Sequence, residues 1–280
     1  MIVCRTRDEL ADGLARLRDR GRVALVPTMG YLHEGHLSLV DVGREAADAV
    51  VVSIFVNPLQ FGPSEDLDAY PRDEDRDRAL LAGRDADLVF IPGVDEMYPG
   101  GEPTVTIDPG PMARGLCGAH RPGHFRGVLT VVARLFGLFQ PDTAVFGRKD
   151  YQQAVLIRRM ARDLELGVEI LLGPIVREAD GLAMSSRNGY LNAEERAQAT
   201  GLHDALVEAV ERFRSGERSA AALAEGIRRR IHEHPLLECQ YAELVDPSTL
   251  ERVGRAEGGT VAAVAAFCGT TRLIDNVELR

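Results

Sequence analysis

At 280 residues the chain is long enough for one large domain or two smaller ones and for a sizeable buried core. Its 43 acidic against 33 basic residues leave a net charge of −10, which argues against a broad footprint on nucleic acid while leaving room for a local cationic pocket. The N-terminal MIVCRTRDEL has no secretory apolar stretch, no run approaches a membrane span, and Cys4, Cys117, Cys239 and Cys268 stand far apart without a CxxC pair. A cytoplasmic protein with no membrane association, disulfide framework or zinc knuckle is expected.

In chain order, the first signals are an apolar run at 22–26, a helical pattern from Glu34 to Ala47, and a second apolar run, AVVVSIFV, at 49–56. Leu37, Leu39, Val40 and Val42 fall near the inner face of that helix, and the three segments predict a right-handed βαβ unit of a parallel sheet. The alternation continues with an acidic helix at 73–81, a strand at 87–92, a buried helix at 127–139 and a strand at 143–147. An amphipathic helix at 151–164 and a strand at 168–176 follow. Such repetition predicts a doubly wound α/β sheet. Near residue 176 the pattern changes. Polar, turn-rich READGLAMSSRNGYLN precedes helical stretches at 193–214 and 219–232, then strands at 240–246, 260–267 and 271–279. Helices first and strands after predict a smaller α+β domain, giving domains at 1–176 and 177–280.

Four polar clusters fall at strand ends, where open α/β sheets gather their ligands: PTMGYLHEGH (27–36), NPLQFG (57–62), FGRKDYQQ (146–153) and MSSRN (184–188). His33 and His36 are open to three readings: metal ligands, a solvated helix start, or anion contacts. A zincin site needs HExxH, and HEGH is one residue short with no third ligand beside it. The anion reading is preferred, because a glycine-containing turn before a helix offers free backbone N–H groups and the positive end of the dipole. An imidazole there adds a donor where phosphate charge develops. Lys149 and Asp150 at a helix head suit triphosphate and ribose or magnesium, and equally suit an exposed ion pair. MSSRN brings two hydroxyls and an Arg fit for a bidentate grip on phosphate, or it is an ordinary turn. The amides of Gln60 and Gln153 suit a hydroxy acid, or face solvent. FGPSEDLDAYPR (61–72) reads equally as a mobile cover and a surface loop; the basic segment 114–127 reads equally as a triphosphate holder and a structured loop.

PTMGYLHEGHLSLV, SIFVNPLQFGPSEDLDAYPR, RPGHFRGVLTVV, FGRKDYQQ and MSSRN, in this order, resemble the signature segments of the pantoate–β-alanine ligase family, within the HIGH-motif nucleotidyltransferases. The resemblance spans essentially the whole chain; HEGH stands where the superfamily has HIGH, and MSSRN where synthetase relatives have KMSKS. It implies a Rossmann-like doubly wound parallel sheet with a smaller C-terminal α+β domain that carries MSSRN and closes over the site. It also implies an ATP-dependent condensation of (R)-pantoate with β-alanine through pantoyl adenylate, releasing pyrophosphate and AMP. Residue by residue, Met29, Gly30, Tyr31, Leu32, His33, Glu34, Gly35 and His36 match the ATP-binding turn, with His36 as proton donor. Gly147, Arg148, Lys149, Asp150, Val176, Met184, Ser185, Ser186 and Arg187 match further ATP contacts. Gln60 matches a contact for pantoate and β-alanine and Gln153 a second pantoate contact, with Asn57 a further candidate. The expected catalytic set is His33, His36, Lys149, Ser185, Ser186 and Arg187, acting by positioning and electrostatics with no covalent enzyme nucleophile. Mg²⁺ is expected on the ATP phosphates with no metal site of the protein's own, and a homodimer with small-molecule partners only is implied.

Two other classes share parts of this pattern. An adenylyltransferase acting on a phosphorylated precursor would differ around Gln60, Gln153 and the second domain. A regulatory nucleotide-binding module would not need the intact His, Lys and Ser-Arg set.

Overall fold

The computed structural model describes residues 1–63 and 65–280; Ser64, within the expected cover segment, lies outside the described residues. The chain forms two compact units that interleave in sequence. One comprises Met1–Gly110, Arg121–Arg148 and Leu156–Pro174, the other Pro111–His120, Lys149–Val155 and Ile175–Arg280.

The first unit begins with β1 (Ile2–Cys4), α1 (Arg7–Arg18), β2 (Val23–Thr28), α2 (Glu34–Ala46), β3 (Ala49–Ile54), α3 (Glu74–Gly83), β4 (Leu88–Phe90) and α4 (Val94–Met97). After α5 (Leu116–His120), part of the second unit, it resumes with α6 (His124–Phe139), β5 (Thr143–Gly147), most of α7 (Tyr151–Asp163) and β6 (Glu169–Gly173). The six strands are parallel and ordered β1-β4-β3-β2-β5-β6. Chain direction across the sheet reverses between β2 and β5, the kind of switch point at which open α/β sheets bind ligands beyond the strand carboxyl ends.

The strands read as unbroken apolar runs because both faces of the sheet are covered. Alternate side chains serve opposite faces. Ala24, Val26, Val50, Val52, Val89 and Val145 pack with Leu37 and Val40 of α2 and Leu81 of α3, while Val42 only flanks this cluster. On the other face Leu88 stands 2.6 Å from where a Cβ on Gly13 of α1 would fall. Phe90 and Phe146 meet Phe139 and Phe136 of α6 edge-on, at 5.7 and 6.5 Å between ring centres. β1 and α1 complete this unit without having been expected, although Thr6 and Glu9 form a capping box and Leu10, Leu14 and Leu17 share a helical face.

The second unit holds α5, the start of α7, α8 (Ala193–Gln198), α9 (Gly201–Arg214), α10 (Ala220–His232) and an antiparallel sheet of β7 (Leu237–Val245), β8 (Val261–Cys268) and β9 (Thr271–Glu278). Leu202, Leu206, Leu223, Ile227 and Ile231 from the helices close over Leu244, Val264 and Leu273 of the sheet. The single helix expected at 193–214 is broken at Ala199–Thr200. The break lets Gly201 meet the His234 ring, 2.4 Å from where a Cβ would lie, and lets the Gln198 amide oxygen take the Leu236 N–H at 2.9 Å. Among the described residues no helix is long and apolar enough to cross a membrane.

Candidate active site

Between β2 and α2 the chain turns at Gly30, whose φ of +83° lies in the left-handed region. A Cβ there would stand 2.9 Å from Ile54 Cγ2 and 3.0 Å from Asp77 Oδ2, so the position demands glycine on two counts. Asp77 of α3 is 1% exposed and accepts the backbone N–H groups of Tyr31 and Leu32, both at 2.7 Å. Burial pushes the Asp77 carboxyl upward, and the two N–H donors and neighbouring Arg76 pull it partly back. Arg76 also donates to the Leu32 carbonyl at 2.9 Å and lies over the Tyr31 ring.

His33 is the N-cap of α2, and its Nδ1 accepts the Gly35 N–H at 3.1 Å. His36 Nδ1 in turn accepts the His33 N–H at 3.3 Å, so two imidazoles build a reciprocal capping box with ring centres 4.1 Å apart. A ring nitrogen that accepts carries no proton, so a neutral ring in this cap keeps its proton on Nε2.

The glycine turn and helix start predict backbone N–H groups free for phosphate, but most of them are engaged within the chain. Gly30 donates to Thr28 Oγ1, Tyr31 and Leu32 to Asp77, His33 to His36, Gly35 to His33, and His36 to the His33 carbonyl. Half-buried backbone donors have found partners within the chain, as they generally do. Glu34 is exposed, and its carboxylate pairs with Arg84 just beyond α3.

The second cluster follows β3. Asn57 caps the single 3₁₀ turn Pro58–Gln60, and Gln60 Nε2 lies 3.2 Å from Met29 Sδ. Gly127 of α6 packs so closely that a Cβ on it would fall 2.1 Å from the Leu59 carbonyl oxygen. Two members of the basic segment are engaged nearby. Arg121 holds Glu65 with Nε and Nη2, each at 2.7 Å, and donates to His124 Nε2 at 2.9 Å. His124 Nδ1 donates to the Gln60 carbonyl at 2.8 Å. Burial opposes ionisation of Glu65, but the Arg121 hydrogen bonds and charge prevail and hold its carboxyl down to about 2. Phe61 and Tyr70 meet edge-on and Arg72 donates to the Tyr70 carbonyl, so the expected cover segment carries internal packing of its own. Gly147 ends β5, and Arg148 just beyond it donates its N–H to the Gly173 carbonyl at 2.9 Å.

In the second unit, β9 reaches the Lys149 backbone and runs beside the turn Ser186–Tyr190. Asn276 Nδ2 donates to the Lys149 carbonyl at 2.9 Å, and Asp275 takes Arg177 through two bonds of 2.6 and 3.0 Å. Val176 and Met184 meet through a Met184 N–H bond to the Val176 carbonyl, beside the bridge between Arg177 and Ala183. Ser185 caps the 3₁₀ turn Ser186–Tyr190 by accepting the Arg187 N–H at 3.2 Å. Gln152 and Gln153 divide their work. Gln152 is 5% exposed and its amide is bound to the Met112 and Gly115 carbonyls and the Gly118 N–H, while Gln153 is half-buried. Among the described residues no three His, Cys, Asp or Glu side chains gather to ligate a metal.

A parallel sheet with its switch at β2 and β5, and a histidine-capped helix at that switch, defines an open α/β protein of the class that binds its ligands beyond the strand carboxyl ends. The particular kind follows from comparison with known proteins. The family model described as pantoate-beta-alanine ligase matches residues 2–278. The pantothenate synthetase of Roseiflexus castenholzii is 56% identical over 265 residues, covering 95% of each chain. That of Moorella thermoacetica is 52% identical over 267 residues, covering 95% of this chain and 94% of its own. The crystal structure of the Thermus thermophilus enzyme superposes with a TM-score of 0.93 at 48% identity, covering 99% of both chains. Pantoate-beta-alanine ligase from Francisella tularensis, crystallised with beta-gamma ATP and beta-alanine, gives a TM-score of 0.84 at 31% identity over 99% of this chain and 97% of that one. The chain belongs to the pantoate–β-alanine ligase family.

Proposed function

We propose that this enzyme condenses (R)-pantoate with β-alanine in two steps, using ATP that enters with Mg²⁺ on its phosphates. In the first step a carboxylate oxygen of pantoate attacks the α-phosphorus, the bond to the β-phosphate oxygen breaks, and pyrophosphate leaves. In the second step the β-alanine amine attacks the activated carbonyl carbon, the bond to AMP breaks, and an amide forms with loss of a proton. The observation that carries this reading is the imidazole pair at the head of α2, two rings held in place by the reciprocal helix cap where the sheet switches direction. Lys149 and Arg187 supply fixed positive charge, Ser185 and Ser186 supply hydroxyls, and Gln60 and Gln153 bind pantoate. Magnesium prefers phosphate oxygens and water to a protein cage, so it is carried here on the ATP phosphates. Four free thiols accord with a reducing cytoplasm. The family resemblance supports a homodimer.

With ATP and pantoate alone, the purified enzyme should exchange label between pyrophosphate and ATP; adding β-alanine should release AMP in step with pantothenate. Exchange that needs no pantoate, or AMP release that ignores β-alanine, overturns the reading. His36→Ala should lower turnover by ~10²–10³ with the fold retained, the cost of removing one preorganised donor.

A further inference from the structure

The Tyr98 hydroxyl donates to Asn57 Oδ1 at 2.7 Å, and the same oxygen accepts the Leu59 N–H at 3.3 Å. With two donors on its oxygen, the Asn57 amide has one orientation: its NH₂ faces Gln60 Oε1 at 3.0 Å and the Gly127 carbonyl at 3.2 Å. Asn57 is 1% exposed and Tyr98 3%, so water is not at hand to replace either partner. Gln60 is thereby oriented in turn, with its oxygen toward Asn57 and its NH₂ toward Met29 Sδ. Turning Gln60 over would set two NH₂ groups against each other.

The phenol makes the shortest bond in this Tyr98–Asn57–Gln60 network, and its ring is wedged edge-on against Phe55 with the Arg134 guanidinium 5.8 Å from its centre. Burial drives the Tyr98 hydroxyl well above its ordinary value, so it stays protonated and keeps its proton to donate to Asn57.

We infer that Tyr98 is a positioning residue for the acid substrate: through Asn57 it holds the Gln60 amide so that an N–H, and not the oxygen, is offered to an oxygen of pantoate. This rests on the assignment of Gln60 as a pantoate contact. Tyr98→Phe removes one hydroxyl and keeps the ring. It should raise KM for pantoate roughly tenfold, the scale of one hydrogen bond, with KM for ATP within twofold and melting temperature little changed. In a Gln60→Ala background the same substitution should cost nothing more, because the group through which Tyr98 acts is gone. Asn57→Asp keeps the Tyr98 bond but turns the donor facing Gln60 into an acceptor, and it should reproduce the pantoate defect. An equal loss from Tyr98→Phe with and without Gln60, a matching rise in KM for ATP, or a normal KM in Asn57→Asp overturns the inference. Wild-type pantoate kinetics in Gln60→Ala overturns the assignment of Gln60 itself, and that result is read before the others.

Discussion

His33 Nδ1 caps α2, and the proposed function gives the same ring a second duty at phosphate. The two separate by substitution. Asparagine caps a helix as well as any residue, whereas alanine at an N-cap costs about 1 kcal/mol. His33→Asn should therefore melt close to the parent and His33→Ala measurably lower, while both lose most of their turnover. Equal melting of the two variants would show that the cap contributes nothing, and retained turnover in His33→Asn would remove the ring from catalysis. The histidines were legible in the sequence because glycine, spacing and a helical pattern lay within ten residues of each other. Asp77 and Tyr98 were not, since their partners stand 46 and 41 residues away. Asp77 was also hidden in the run DEDRD, where a buried carboxylate looks like its solvated neighbours.

Among elements, the segment after β3 is tied to the head of α6 by Glu65 and Arg121. Because the folded Glu65 carboxyl is held down to about 2 from an ordinary value of 4.5, its contribution to stability is complete above pH 4.5 and lost as pH falls toward 2. Glu65→Gln should lower the melting temperature near neutrality and flatten the acid limb in that window, as followed by circular dichroism against pH. An unchanged acid limb would mean that the ion pair is not formed in solution. Element type was readable wherever apolar runs were long, as in β2, β3 and α6. β1 escaped because three residues carry no period, and α1 because charged residues outnumber the leucines on its surface, although Thr6 and Glu9 marked its start. The break between α8 and α9 depends on His234 and Leu236, which no local pattern at residue 199 announces.

For the molecule as a whole, the doubly wound order followed from alternation of strands and helices, but the interleaving of the two units did not. Segments 111–120 and 149–155 join the second unit through contacts such as Gln152 with Gly115 and Asn276 with Lys149, which are properties of packing and not of local composition. The cysteines give a test at this scale. Cys4, Cys117 and Cys268 are buried and Cys239 partly so; burial pushes the thiols of Cys4 and Cys239 up and that of Cys268 to about 11. Titration with Ellman's reagent at pH 8 should find at most one slowly reacting thiol in the native enzyme and four in denaturant without reductant. Two fast native thiols would contradict the packing, and fewer than four in denaturant would reveal a disulfide. The turn from Gly30 to His36 finally bears on the catalytic cycle. A ring of bare amides would clasp any polyphosphate, product as readily as substrate. Here six of those amides already have partners, so under the proposed reaction pyrophosphate would meet a weaker hold at this turn than bare amides would give.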